Sequence, residues 1–170
     1  MRIDYQITIS FLILILVSCH TDKDRQPEPF LETNDKFVEN TLRFSVNEQN
    51  LKANLTDSVV IYYQAVTNNH NPKNIDTIMR LITVNSLRDE FEIYKTVDKE
   101  IFFSATIRSN HISLKNDIQV GMSKEQFCTV MNLETVSNGI KISNIAQTFN
   151  WVFYFSKSKL DSIVYDGYID

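Results

Sequence analysis

Apolar residues recur at every second position through most of this chain, and that period decides its fold class. Val59, Ile61, Tyr63 and Ala65 alternate with Val60, Tyr62 and Gln64, up to the turn-rich Asn68-Asn69-His70-Asn71-Pro72. Phe91, Ile93 and Val97 are expected inward against Glu90 and Glu92, and Ile101, Phe103, Ala105 and Ile107 inward against Phe102, Ser104, Thr106 and Arg108. Phe149, Trp151, Phe153 and Phe155 fall on one face of a further strand. Successive side chains of a strand point to opposite faces, so such runs read as strands of a sheet with one face buried. The short Val97-Asp98-Lys99 connection predicts a hairpin, as does the Ser156–Lys159 turn with a return strand over Leu160–Ile169. Ile112–Val120 reads as one more strand, entered through Asn110-His111. Asp76–Asn85 is ambiguous: Asn71-Pro72 could cap a helix bearing Ile75, Ile78, Met79 and Ile82, but the β-branched Ile78, Ile82, Thr83 and Val84 favour a strand.

Two helices interrupt this pattern. Phe37, Val38, Thr41, Leu42 and Phe44 make a helical stripe over residues 35–44, with Asn34 or Asp35 as cap; its end is not marked, and Leu51 and Leu55 could continue it. Ser123-Lys124-Glu125-Gln126 has the form of a capping box. Met122 and Phe127 are a hydrophobic staple, Phe127, Val130 and Met131 a short apolar stripe, and Gly121 is free to turn the chain into this helix. The expected class is α+β, a mainly antiparallel sheet of β-hairpins with one or two short helices packed on it. At 170 residues and 43% hydrophobic, the chain has the material for one core. Three glycines, three prolines and two cysteines exclude a disulfide scaffold, a collagen-like chain and a glycine-rich phosphate loop. A formal charge of −4 argues against nucleic acid as a partner.

The N-terminus follows different rules. Arg2 precedes an apolar run, Ile7–Val17, that is interrupted by only Thr8 and Ser10 and is short of the ~20 residues a bilayer span needs. Leu16-Val17-Ser18-Cys19 then resembles the lipobox of bacterial lipoproteins. The resemblance implies a signal peptide over 1–18, cleavage between Ser18 and Cys19, and diacylglycerol on the Cys19 thiol. It implies a membrane partner through that lipid and a place in the cell envelope, at the outer membrane, periplasmic or surface-facing; His20 rather than Asp after the cysteine fits outer-membrane sorting. Residues 19–34, with Pro27, Pro29 and mixed charges, read as a flexible tether. Residues 35–170 are then the single globular domain.

Within that domain, Val120-Gly121-Met122-Ser123-Lys124-Glu125-Gln126-Phe127, the aromatic strand around Trp151 and the final hairpin together carry a second likeness. The span 117–168 resembles the helix-and-hairpin unit of the small lipoproteins of the BamE/SmpA family and of the related β-lactamase-inhibitor-protein-like fold. It departs from them after the helix, where Met131-Asn132-Leu133-Glu134 stands in place of a Leu-Gly-x-Pro turn. The likeness implies a non-enzymatic role in envelope assembly or in inhibitory binding.

Catalytic templates find little purchase. Outside the tether, His70, His111 and Cys128 fall in different elements without metal-ligand spacing, so no metal and no cofactor is expected. Cys128, early in a helix, could pair with His70 or His111 as a nucleophile, against a plain reading as a small core residue. Glu90 and Glu92 have the spacing of an acid/base pair, but on a face that reads as solvated. The aromatic row at 149–155 could stack on sugar, though such a row more commonly builds core. No catalytic residue is assigned. The expected function is a lipid-anchored envelope protein with a non-catalytic binding or accessory role, possible partners including an envelope protein. The alternative is an inhibitor or immunity lipoprotein that blocks a toxin or hydrolase.

Overall fold

The alternating runs assemble into one eight-stranded sheet in the computed structural model, which describes residues 30–38, 41–55, 58–84 and 87–169. The apolar run, Ser18, Cys19 and the first part of the tether lie outside the described residues. The strands are β1 (Phe30–Thr33), β2 (Val59–Thr67), β3 (Ile75–Thr83), β4 (Glu90–Lys95), β5 (Glu100–Ile107), β6 (Gly139–Ser143), β7 (Phe149–Ser156) and β8 (Lys159–Gly167). Their spatial order is β1-β6-β7-β8-β5-β4-β3-β2, antiparallel throughout except for the parallel pair β1–β6. Among the described residues three α-helices accompany them: α1 (Asp35–Val38), α2 (Glu48–Asn54) and α3 (Lys124–Met131). No helix among the described residues is long and apolar enough to cross a membrane.

Two successive meanders build this sheet. The first runs β2 to β5 after α1 and α2; the second runs β6 to β8 after α3. Their last strands, β5 and β8, lie side by side at the centre, with Ala105 opposite Tyr165 and Ile107 opposite Ile163. One sheet face carries the core: Met79, Leu81, Phe91, Ile93, Ala105, Ile107, Ile140, Trp151, Phe153 and Ile163 are all at most 2% exposed. Phe127 of α3 packs on Phe153 and Phe155 with ring centroids 4.9 and 5.2 Å away, and Phe37 of α1 lies 6.0 Å from Phe153.

Several expectations hold in detail. Residues 75–83 are a strand, β3. The Ser123 hydroxyl accepts from Gln126 N–H at 3.1 Å while the Gln126 side chain accepts from Ser123 N–H at 3.1 Å, a complete capping box. Gly121 enters that helix at φ +93°, where side-chain-bearing residues are strained.

Others are corrected. The helical stripe at 35–44 is divided. Asn34 caps α1 through a 3.0 Å bond from Phe37 N–H, Thr41 lies outside the helix, and a separate helix begins after the cap Asn47. Val97 is 89% exposed, because Thr96 N–H donates to Lys99 O and so closes the hairpin with Val97 at its tip. Phe102, not Phe103, joins the core. A bulge opposite Glu92 and Ile93 pairs Ser104 with Glu92 and Phe102 with Ile93, and the skipped residue reverses the alternation. Residues 112–120 are not a strand. Ile112, Leu114 and Ile118 are buried with the expected spacing, but Asn116 and Asp117 adopt φ of 60° and 58° and fold Lys115–Asp117 into a 3₁₀ turn. The last residues read as tether, Phe30–Thr33, form β1.

Candidate functional site

The described residues between α1 and α2, 41–47, form no helix or strand, and two neighbouring contacts hold them in place. Leu42 and Leu114 form an isolated antiparallel bridge, and Lys115 N–H donates to Thr41 O at 2.7 Å. Arg43 extends the clamp, with Nε donating to Leu114 O at 3.2 Å and the guanidinium paired with Asp117. The left-handed backbone at Asn116 and Asp117 is what turns Asp117 back toward Arg43, and Asn and Asp tolerate that conformation better than most residues.

Held this way, residues 41–46 face three rings of the central strands. Trp151 of β7 and Tyr165 of β8 are cross-strand partners with centroids 4.6 Å apart, and Phe102 of β5 stacks on Tyr165 at 4.6 Å and 14°. The bulge in β5 therefore serves this site, because it turns Phe102 onto the tyrosine. Between the rings and the segment lies a recess of about 310 Å³, lined further by Phe44, Ser45 and Lys115. That volume is in the range of small-molecule sites.

Burial, with a smaller contribution from the Asp166 charge, pushes the Tyr165 hydroxyl up to about 12, so it stays protonated at neutral pH. Trp151 is 2% exposed, and its buried Nε1–H has no hydrogen-bond partner among the described residues. Leaving such a donor unmet costs roughly 1–3 kcal/mol. The Lys115 ammonium forms no ion pair among the described residues, whereas Arg43 is matched by Asp117. No carboxylate lines the recess among the described residues.

The residues singled out for chemistry lie elsewhere. Cys128 is a half-buried free thiol on α3, His70 is in the β2–β3 turn, and His111 follows β5. His70 and its loop are shaped by Asn68, whose Oδ1 accepts from the N–H groups of His70 and Asn71 at 2.9 and 2.8 Å. Glu92 is in an ion pair with Arg80 across β3 and β4, N–O 2.5 Å. Three of the four aromatics expected as core or as a sugar platform, Trp151, Phe153 and Phe155, are at most 6% exposed, which makes them core. Among the described residues no group of three or more His, Cys, Asp or Glu could hold a metal ion.

Sequence reasoning missed the recess because its parts come from five separate stretches. The signal that could have found it was the pair of adjacent rings Phe102-Phe103 in a strand, where one of the two must break the alternation. No protein-family model matches the chain, and neither a curated protein nor a solved structure matches it.

Proposed function

We propose that this chain is a lipid-anchored protein of the cell envelope that acts by binding rather than by catalysis. The observation that supports binding most directly is the recess of about 310 Å³ between residues 41–46 and the central strands, framed by Trp151, Tyr165 and Phe102. Anchoring rests on Leu16-Val17-Ser18-Cys19. With lipid on Cys19, the eleven residues to Phe30 span at most ~40 Å, which keeps β1 and the sheet close to the bilayer. The likeness of residues 117–168 to BamE/SmpA-type units, carried by Val120–Phe127, the aromatic strand around Trp151 and the final hairpin, makes an accessory role in the envelope the form this binding would take.

Radiolabelled palmitate tests the anchor. Wild type should take up label and partition with membranes, and Cys19→Ala should do neither; label retained by the variant would remove the lipobox from the proposal. Binding is tested by crosslinking in intact cells followed by purification of the anchored protein. A captured envelope component lost on Trp151→Ala would support the recess as the contact.

A second reading, the inhibitor or immunity lipoprotein, is favoured by β2. This strand ends the sheet, runs nine residues without a charge or a proline, and leaves Tyr62 and Tyr63 more than half exposed. Edges of that kind accept a strand from another protein. Tyr63→Lys should abolish inhibition on this reading and leave recess binding unchanged.

A further inference from the structure

We propose that β2 pairs in antiparallel register with β2 of a second copy of this chain, across a two-fold axis at Tyr63. This rests on the anchored reading, because lipid on Cys19 would confine the copies to one surface. β2 has no outer neighbour among the described residues, and it carries three large exposed apolar side chains, Val60, Tyr62 and Tyr63. Its backbone parity is fixed at both ends. Val84 N–H donates to Ser58 O at 2.8 Å and Asn68 N–H to Asn74 O at 3.1 Å, so the even-numbered residues bond to β3. Bonding alternates along an antiparallel ladder, so Val59, Ile61, Tyr63, Ala65 and Thr67 turn their N–H and C=O groups to the outer edge. Two copies can exchange such bonds only between odd-numbered residues, and an axis at Tyr63 is the register that pairs all nine. It sets Val59 against Thr67, Val60 against Val66, Ile61 against Ala65 and Tyr62 against Gln64. Every pair joins apolar, aromatic or β-branched side chains except the last, which matches a phenol with an amide.

Charge makes a second copy the fitting occupant. A strand facing its own kind brings like charges together, which destabilises a sheet, and β2 carries none. The charged groups that touch or pair with it are already satisfied. Glu48, beside Tyr63, is matched by Lys52 and Lys95, and Arg80, opposite Tyr62, by Glu92. Asp76, opposite Val66, is 2% exposed and accepts from Asn68 at 2.6 Å and from the Tyr94 hydroxyl. One strand pair is far smaller than the ~1,600 Å² of a stable interface, so the copies separate in dilute solution and pair where anchoring raises their effective concentration.

The register is tested by cysteine crosslinking of the full chain in isolated membranes, with Cys128→Ser as background and two differently tagged copies expressed together. Tyr63→Cys places the introduced thiols opposite each other, with Cα atoms ~5.5 Å apart, inside the range a disulfide spans. Thr67→Cys places them eight residues apart along the seam, ~27 Å, too far to bridge. On oxidation Tyr63→Cys should give a band at twice the chain mass carrying both tags, in about tenfold higher yield than Thr67→Cys. Val97→Cys, at the exposed tip of the β4–β5 hairpin, measures random collision and should stay low. Val59→Cys in one copy and Thr67→Cys in the other should restore the band. Equal yields at 63, 67 and 97 would overturn the pairing, and so would a Tyr63→Cys adduct that holds a different protein. Radiolabelled palmitate in the same gel separates this inference from the anchor. Labelled protein without the Tyr63→Cys dimer overturns the pairing and leaves the anchor standing. Unlabelled protein with the dimer overturns the anchor and leaves the pairing; with neither, both fall.

Discussion

Asp89 has a carboxylate in a place where a lone charge would be costly, at 1% exposure, and the chain surrounds it with donors. It accepts from Arg108 N–H at 2.6 Å and from Ser109 N–H at 2.9 Å, and it takes the Ser109 hydroxyl as well. Its own backbone closes the β3–β4 connection, with Thr83 N–H donating to Asp89 O and Asp89 N–H to the Thr83 hydroxyl. One residue thus ties the end of β3 to the end of β5. Asp89→Ala should destabilise the protein by about 2–4 kcal/mol, because it leaves several buried donors unmet. Asp89→Asn retains one acceptor and should cost about half as much, read as the shift in urea midpoint. A second residue-scale test concerns Gly167, where an added Cβ would sit 2.8 Å from the Tyr165 hydroxyl and 3.3 Å from the Phe103 backbone. Tyr165 is wedged between Trp151 and Phe102 and has little room to yield. Gly167→Ala should therefore cost about 1–3 kcal/mol and move the Trp151 fluorescence, since the displaced ring lies in the recess. Neither residue was legible in the sequence. Asp89 is one acidic residue among 21, and nothing local distinguishes a carboxylate that meets donors twenty positions away.

Elements were more legible than residues, within the reach of their period. The strands β3, β4, β7 and β8 and the helix α3 follow from alternation and from the Ser123–Gln126 box, because those signals are local. Phe102 and Ile112–Val120 were misread for one physical reason. Burial every second residue is necessary for a strand but not sufficient, and a bulge or a left-handed pair such as Asn116-Asp117 breaks the backbone without changing the sequence pattern. The attachment of α2 was also hidden, since its partners are far along the chain. Glu48 accepts from Lys52 and Lys95, each at 2.6 Å, and from the Tyr63 hydroxyl at 2.9 Å, while Glu48 N–H donates to Glu100. The two lysines, Lys52 foremost, and then Tyr63 hold the Glu48 carboxyl down at about 2 from an ordinary 4.5. A carboxyl depressed by folding adds stability that is fully present above its unfolded value and is lost as pH falls through its folded one. The urea midpoint should thus decline between pH 4.5 and 2. Glu48→Gln should flatten that decline and cost on the order of 1–2 kcal/mol at neutral pH, a figure reduced for the partial exposure of the cluster.

At the scale of the whole molecule, the two meanders meet on β5 and β8, so their first strands face outward and both ends of the sheet need an answer. The first meander leaves β2 with no outer neighbour among the described residues. The second is extended by β1, a strand from the other end of the chain that pairs in parallel with β6 from Phe30–Ile140 to Thr33–Ser143. Two further bonds continue the seam, Asn34 N–H to Ser143 O at 2.9 Å and Ile145 N–H to Asp35 at 2.8 Å. Sequence reasoning took these residues for tether because Pro27 and Pro29 precede them and four residues are too few to show a period. In the structure they cover the edge of β6, whose Ile140 and Ile142 belong to the core. An uncovered edge of that kind is a template for pairing with other chains. A chain beginning at Asn34 should therefore be less stable than one beginning at Gln26, and it should associate with rising concentration in sedimentation while the longer chain stays monomeric at the same concentrations. Equal stability and equal sedimentation would mean that β1 adds nothing to the sheet. The outcome bears on the proposed anchor as well: if β1 is needed, a lipid on Cys19 would tether the sheet through one of its own strands, with the β2 edge seven strands away from it.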